Sequence, residues 1–234
     1  MSRLSSERMK ATLSEEAAED GHGALMDRIY RNQRHVYDLT RRYFLLGRET
    51  LIKRMEIEEG DRVLEIGCGT ARNLIHLARR VSSIELFGID ASGEMLKSAR
   101  RNIVRAGMQQ RIRLECCLAE GFSPLTAFRS TEPFDAVFFS YSLSMIPNWR
   151  PALDRGLLHL KTGRSLWVVD FWDQRGLPGW FANGLKQWLN LFHVHPRLEV
   201  LEYFRELEML GHISLFIEPL YRRYAYLVRL TKIS

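Results

Sequence analysis

The sequence has no apolar run long enough to cross a membrane. A spanning helix needs about 18 consecutive apolar residues, and no such run occurs, although 46% of the 234 residues are hydrophobic. Residues 1–23 are polar and acid-rich and lack the apolar centre of a secretory signal. We expect them to form a mobile tail. A spanning protein is therefore not expected, and the cytoplasm is the expected location.

Cysteine is scarce, and its placement excludes two kinds of site. The three cysteines are Cys68, Cys116 and Cys117; an odd number with two of them adjacent argues against a disulfide framework and favours a reducing compartment. No spacing of Cys and His resembles a zinc site, and the pair His193 and His195 has no carboxylate or thiol nearby in sequence. We therefore expect neither disulfides nor a bound metal.

Basic residues exceed acidic ones, and the excess is clustered. The chain carries 34 Lys and Arg against 28 Asp and Glu, a net charge of +6. Eight Lys or Arg lie between Arg28 and Arg54 against two acids, and residues 221–234 carry four and no acid. Such patches suit nucleic acid, anionic lipid head groups or an acidic substrate. A solvated basic face is the simpler interpretation.

Strand-like and helix-like segments alternate from residue 62 onward. Strands are predicted at 62–67, 84–90, 112–120, 134–143 and 165–172, and helices at 71–81, 92–107, about 151–161 and 197–211. This alternation predicts an α/β fold, a doubly wound Rossmann-like and mainly parallel sheet. Two consecutive strand-like runs at 212–221 and 223–233 predict an antiparallel hairpin at one edge, which brings the sheet to seven strands.

The segment before the sheet has a helical pattern. Met26, Ile29, Tyr30 and Tyr37 follow a three-to-four spacing, and Gly47 is predicted to break the segment into two helices. We interpret residues 24–55 as an N-terminal helical lid and residues 56–234 as the α/β domain, with a Trp-rich insert at about 172–196.

A glycine turn joins the first strand to the first helix of this domain, in VLEIGCGTARNL. Gly67 and Gly69 are present, but Arg72 stands where the G-x-G-x-x-G fingerprint of dinucleotide-binding proteins has its third glycine. The pattern of an ATP-binding phosphate loop is absent as well. The turn therefore suits a ligand other than a pyrophosphate.

Two acidic residues flank the turn and limit which ligands it can bind. Glu65 precedes the first glycine and suits a ligand with a cationic group. Asp90 ends the next strand, where a carboxylate can accept both hydroxyls of a ribose. The glycines allow close approach of the backbone to an amino-acid portion. A ribose together with a cationic amino group describes S-adenosylmethionine.

The turn resembles the first motif of the class I S-adenosylmethionine-dependent methyltransferases, and the resemblance covers about residues 48–234. Leu118 stands where these enzymes commonly have an acid for the adenine amino group, so the Ala119 backbone or Glu120 must serve. The segment SYSLSMI matches the one that faces the transferable methyl group. The resemblance implies that the cofactor contacts Tyr43, Glu65, Gly67, Cys68, Gly69, Asn73, Asp90, Ala91, Met95, Ala119, Glu120 and Ser140.

Motifs that are absent from the sequence exclude some classes of methyl acceptor. The fourth strand ends in FSYSLS and lacks the N/D-P-P-Y/F motif of enzymes that methylate adenine or glutamine nitrogen. No cysteine stands where a cytosine methyltransferase has its nucleophile, and Cys116 and Cys117 are interpreted as packing residues. Methylation of DNA bases, and with it a nucleic-acid partner, is therefore not expected.

Two segments outside the sheet are candidates for acceptor recognition. In the lid, Tyr30, Gln33 and Tyr37 lie on one helical face, which is either core packing or a cover over the cofactor. In the insert, Trp172 and Trp180 belong to an aromatic-rich stretch, which is either a core helix or an amphipathic segment at a membrane interface. Both alternatives stay open for each segment.

The lid segment MDRIYRNQRHVYDLTRRYFLLGR resembles the bacterial betaine-lipid methyltransferases. The resemblance implies three methyl transfers to the amine of diacylglycerylhomoserine by an enzyme at the inner face of the membrane, with S-adenosylhomocysteine as the second product. Methylation of a soluble small molecule or a quinone precursor is the alternative, and a non-catalytic cofactor-binding or RNA-binding module is a third hypothesis. The residues assigned to these steps are His35 as base, Tyr30, Tyr37 and Tyr141 around the nitrogen, Arg31 and Arg34 at the carboxylate, and Trp172 and Trp180 at the apolar part.

Overall fold

The computed structural model describes residues 45–191 and 196–233. The predicted tail, most of the predicted lid and the pair His193 and His195 lie outside this part of the chain. In chain order the elements are α1 (Arg48–Arg54), β1 (Arg62–Ile66), α2 (Arg72–Arg80), β2 (Glu85–Asp90), α3 (Gly93–Ala106), β3 (Ile112–Cys116), α4 (Pro124–Phe128), β4 (Phe134–Ser140), α5 (Trp149–Leu158), β5 (Leu160–Phe171), α6 (Gly179–Leu191), α7 (Glu199–Met209), β6 (Ile213–Leu220) and β7 (Ala225–Lys232).

The seven strands form one sheet in the order β3-β2-β1-β4-β5-β7-β6. The five strands β1 to β5 are parallel, whereas β7 runs antiparallel to both β5 and β6. The predicted doubly wound sheet and its edge hairpin are confirmed. Because β1, β2, β4 and β5 are parallel, their carboxyl ends meet at one edge, where ligands bind in open α/β sheets. We call this the carboxyl edge.

Helices cover both faces of the sheet. On one face, buried side chains of α1, α2, α3 and α6 pack together, and on the other face those of α5 and α7 do so. Strand β1 is buried from Val63 to Ile66, which explains why its sequence is apolar apart from Glu65. Among the described residues, no helix is both long and apolar enough to cross a bilayer.

Three segments differ from the predictions for local reasons. Strand β3 stops at Cys116 because the next residue donates its amide proton to the Asp90 carbonyl, where β2 itself ends. Strand β5 begins at Leu160, earlier than predicted, because that residue pairs with Phe134 across a register shift. Helix α4, which was not predicted, is one short turn that begins at Pro124, where proline is tolerated because its missing N–H would have had no helical partner.

Gly47 fixes where α1 meets the sheet. Its φ of 91° lies in the left-handed region, and a Cβ there would come within 2.8 Å of Leu220 Cδ1 and 3.2 Å of Val169 Cγ2. Glycine is therefore required both by backbone conformation and by space. Gly47 was predicted to break residues 24–55 into two helices: the second begins at Arg48, and the first lies outside the described residues.

Replacing Gly47 tests this close contact against a matched control. Gly60 has a similar φ of 88°, but a Cβ there would meet nothing within 4 Å. We expect Gly60→Ala to cost about 1–2 kcal/mol for the left-handed backbone alone. Gly47→Ala should cost a further ~1–3 kcal/mol because the methyl group overpacks the core. The free energy of unfolding in urea measures both, and equal losses would show that α1 does not contact the sheet as described.

Candidate active site

The glycine turn between β1 and α2 is pressed against the loop after β4. The amides of Gly67 and Cys68 both donate to the Ile89 carbonyl, at 2.9 and 3.0 Å. Gly67 has a φ of 77°, and a Cβ on it would overlap the Ser142 side chain. The turn therefore cannot carry a larger residue at this position, and its backbone stays open toward the carboxyl edge.

Asp90 is held directly beside this turn. At the end of β2, its Oδ2 accepts a hydrogen bond from the Gly69 amide at 2.8 Å, and its Oδ1 accepts one from the Ser92 amide at 2.9 Å. These bonds fix the carboxylate at the carboxyl edge. Its contact with the hydroxyl groups of a ribose stays a prediction.

Glu65 brings a second carboxylate to the same turn. It is only 1% exposed, and its Oε1 accepts a hydrogen bond from Asn73 Nδ2 at 2.7 Å. Burial raises the pKa of the Cys68 thiol well above its ordinary value, and the charges of Asp90 and Glu65 raise it further. The thiol is thus kept neutral, and the turn carries a negative potential from both sides.

These features fit S-adenosylmethionine better than a nucleotide phosphate. A negative potential favours an ammonium or sulfonium group and repels a pyrophosphate. The Ser140 hydroxyl at the end of β4 is buried and has no hydrogen-bond partner among the described residues. A buried polar atom without a partner is costly, and a ligand group at this edge would supply one.

The residues predicted near adenine lie on α3 and on the chain after β3. Ser92 caps α3 by accepting the Met95 amide at 3.2 Å, and both Met95 and Ala119 are buried, while Ala91 is half-buried. The Glu120 carboxylate accepts a hydrogen bond from Asn148 Nδ2 at 3.3 Å. That contact with the start of α5 was not predicted, and the roles of these residues toward adenine stay predictions.

Tyr141 joins the loop after β4 to the residues just before α1. Its phenol donates to the Leu46 carbonyl, and its ring packs edge-on against Phe171 with centroids 4.6 Å apart. Burial raises the pKa of the phenol well above its ordinary value. Tyr141 is therefore a neutral, buried donor, and its predicted contact with the acceptor nitrogen is a hypothesis that would require this hydrogen bond to break or to be shared.

Asp170 is a site residue that the sequence analysis missed. It lies near the end of β5, is 1% exposed, and accepts the amides of Ser144 at 2.9 Å and of Phe171 at 2.8 Å. Its carboxylate thus fixes the loop after β4 through the Ser144 amide. Burial raises its pKa to about 6, although those hydrogen bonds oppose the rise. An acid within the apolar run LWVVDF was the signal that could have identified it.

The predicted substrate-binding tryptophans have different surroundings. Trp172 is half-buried, and the Arg223 guanidinium lies 4.2 Å from its ring centroid, so one cation already occupies a face of this ring. Trp180 is 78% exposed at the start of α6. The remaining candidates lie outside the described residues: Tyr30, Arg31, Arg34, His35, Tyr37 and Tyr43.

Comparison with known proteins identifies the central part of the chain. Residues 63–163, from β1 into β5, match the family model of a methyltransferase domain. Within the described residues, no group of three or more His, Cys, Asp or Glu is placed to hold a metal ion.

The curated relatives that this chain matches act on different acceptors. The chain is 26% identical over 116 residues to trans-aconitate 2-methyltransferase of Azoarcus sp., covering 50% of this chain and 41% of that protein. It is 29% identical over 134 residues to demethylmenaquinone methyltransferase of Listeria monocytogenes, covering 57% and 54%. The chain spans about half the length of the curated relatives it matches.

Solved structures of methyltransferases share the fold of this chain. Phosphoethanolamine N-methyltransferase 2 of Haemonchus contortus, in complex with S-adenosylmethionine, superposes with a TM-score of 0.64 at 16% identity, over 80% of this chain and 52% of that one. An S-adenosylmethionine-dependent methyltransferase of Aquifex aeolicus gives 0.57 at 18%, over 81% and 92%. The fold is that of class I methyltransferases, and these findings support S-adenosylmethionine as the cofactor.

Removing the charge of Asp90 should weaken cofactor binding. A hydrogen bond to a charged group contributes about 1.5–3 kcal/mol, so we expect Asp90→Asn to raise the dissociation constant of S-adenosylhomocysteine by roughly 10- to 150-fold. Isothermal titration calorimetry measures this. Asp154→Asn, in α5 where the exposed carboxylate accepts a hydrogen bond from the Tyr203 hydroxyl, is the control. Unchanged affinity in Asp90→Asn would remove Asp90 from the cofactor site.

The raised pKa of Asp170 should make stability depend on pH in a defined direction. Because its folded pKa of about 6 exceeds the ordinary 3.8, the folded state binds the proton more tightly. The contribution of this group to stability is full below about pH 4 and is lost as pH rises through about 6. The stability of wild type relative to Asp170→Asn should therefore fall by on the order of 3 kcal/mol between those values. Urea unfolding across that range measures it, and a constant difference would contradict the raised pKa.

Proposed function

We propose that the protein transfers methyl groups from S-adenosylmethionine to the amine of diacylglycerylhomoserine, three times, to form the trimethylated betaine lipid. The observation that supports this acceptor is where the insert begins. It leaves β5 at the carboxyl edge, the same edge as Asp90 and Ser140, and its Trp180 is exposed. An acceptor with a long apolar part would meet apolar surface beside the cofactor. The resemblance of residues 26–48 to betaine-lipid methyltransferases supports the same acceptor.

The chain's residues would mainly hold and align the reactants. When bound, S-adenosylmethionine supplies an electrophilic methyl carbon. Asp90 accepts its ribose hydroxyls, and Glu65 offsets its positive charge. Alignment of an amine with such a carbon can contribute roughly 7–11 kcal/mol in favourable cases. The loop fixed by Asp170 forms the wall on the β4 side of this position.

The lid would complete the acceptor site. Each transfer requires a neutral amine, so a proton must leave the nitrogen, and His35 is the proposed base because histidine titrates near neutrality. Tyr30 and Tyr37 would surround an increasingly methylated ammonium with aromatic faces, which attract cations. Arg31 or Arg34 would pair with the homoserine carboxylate.

A quinone precursor is the second candidate acceptor. It is favoured by the 29% identity to demethylmenaquinone methyltransferase over 134 residues. Such an acceptor shares the long apolar tail but presents a ring carbon and has no carboxylate. The arginines of the lid would then have no role in binding it.

Transfer of labelled methyl groups distinguishes these acceptors. The full chain is incubated with methyl-labelled S-adenosylmethionine and, separately, with diacylglycerylhomoserine, demethylmenaquinone or trans-aconitate in detergent micelles. We expect label in the organic phase with the first lipid, in mono-, di- and trimethylated products. Label only with the quinone would favour the second candidate, and label only in a water-soluble product would contradict both lipid acceptors.

A variant of the lid tests the assigned base in the same assay. His35→Asn should slow methyl transfer by about 10²–10⁴-fold, the usual contribution of a general base, while the affinity for S-adenosylhomocysteine stays unchanged. Undiminished turnover would remove His35 from the mechanism.

A further inference from the structure

The insert is fixed to the domain by one end and one face. Leu185 and Leu189 of α6 are buried in the core, and Phe181 and Trp188 pack against the same core. The Trp188 ring lies 6.5 Å from that of Phe171 at the end of β5. The aromatic content of α6 is therefore partly explained by packing against the sheet.

Trp180, at the start of α6, is not explained in this way. Its side chain is 78% exposed, and it stands next to Pro178 and Gly179, which are exposed as well. Its one described ring contact is with the neighbouring Phe181, with centroids 5.8 Å apart. An indole ring held away from the core at a fixed end of a helix is a surface feature, not part of the fold's packing.

A second exposed segment lies beside the residues that precede α6. The turn between β6 and β7 holds Tyr221, Arg222 and Arg223 in the left-handed region, with φ values of 49°, 57° and 64°. Such conformations in non-glycine residues persist only where surrounding contacts impose them. Tyr221 is half exposed and Arg222 is exposed, so the strained turn presents a tyrosine and a cation to solvent.

Three contacts join this turn to the residues before α6. The Gln174 amide donates to the Arg223 carbonyl at 3.0 Å, the Arg223 guanidinium pairs with the Asp173 carboxylate, and Gly176 leaves no room for a Cβ against the Arg222 carbonyl. These contacts hold the β6–β7 turn against residues 173–176, from which the chain continues to Trp180. We call residues 175–181 together with residues 221–223 the interfacial ridge.

The ridge is aromatic at its surface and positively charged. Arg175, with a side chain 78% exposed, Arg222 and Arg223 are three cations against the one carboxylate of Asp173, which is 8% exposed and pairs with both Arg223 and Arg175. Tryptophan and tyrosine beside arginine are the residues that settle at the head-group level of a bilayer, and cations there attract anionic lipids. The ridge follows β5 at Phe171, so it stands at the carboxyl edge.

We propose that the interfacial ridge docks the protein onto an anionic lipid bilayer, with the Trp180 ring inserted among the head groups and Arg175 and Arg222 on lipid phosphates. The biological role of this docking rests on the proposed function, because docking there would bring the carboxyl edge and its proposed cofactor close to a lipid acceptor. Its physical basis is independent of the acceptor, because the ridge needs only anionic head groups.

Flotation with vesicles tests the docking without any methylation. The full chain is mixed with vesicles of phosphatidylcholine alone or with added phosphatidylglycerol, in the absence of S-adenosylmethionine and of any acceptor amine. Wild type should float with the anionic vesicles. Trp180→Ala should lower the partition coefficient by about tenfold or more, Trp180→Phe should restore most of it, and Arg222→Gln should lower both the binding and its dependence on salt.

Matched variants keep the result interpretable. Met209→Ala removes an apolar side chain that is 82% exposed on α7, away from the ridge, and Arg101→Gln removes an exposed cation of α3; both should bind vesicles as wild type does. Unfolding midpoints of all variants should match, because none of these side chains is buried. Equal vesicle binding by Trp180→Ala and Met209→Ala would overturn the proposal, as would binding of wild type to neither kind of vesicle.

The failure of this inference and that of the proposed function are separable. Suppose that diacylglycerylhomoserine is methylated in micelles but that Trp180→Ala binds vesicles as wild type does. This result would contradict docking through the ridge and would leave the acceptor assignment intact. Ridge-dependent binding to anionic vesicles without methylation of that lipid would overturn the acceptor assignment and leave the ridge standing.

Discussion

Two carboxylates beside one glycine turn are the constraint on which the site depends. Glu65 is buried against Asn73, and Asp90 is held by two backbone amides. Both carboxylates are therefore fixed beside the turn. A fold that concentrates negative charge in this way is stabilised by a cation. Gly67 lies so close to Ser142 that no larger residue fits at position 67. Charge and space at the end of β1 are thus the basis of the donor specificity that we propose.

The loop after β4, which the proposed function places beside the acceptor, is fixed from two sides. It is fixed by Asp170 on one side and by the Tyr141 phenol, bound to the Leu46 carbonyl, on the other. Because Leu46 adjoins Gly47, the start of α1 is coupled to the wall of the site. This loop is therefore positioned by contacts among three distant parts of the chain.

Local patterns predicted the features that depend on local sequence. The turn with Gly67 and Gly69, the strand ending at Asp90 and the edge hairpin follow from strand period, turn residues and spacing. Asp170 escaped prediction because its importance comes from an amide 26 residues away. The division of the insert into a buried face and an exposed Trp180 depends on the β6–β7 turn, which periodicity does not reveal. Tertiary contacts decide these cases.

The central claim is that the acidic turn binds a cationic nucleoside and not a dinucleotide. Isothermal titration of the full chain with S-adenosylmethionine and with NAD under the same conditions tests it most directly. We expect S-adenosylmethionine to bind with a dissociation constant on the order of micromolar, about −8 kcal/mol, and NAD to give no saturable heat. Binding of NAD with equal or higher affinity would contradict the claim.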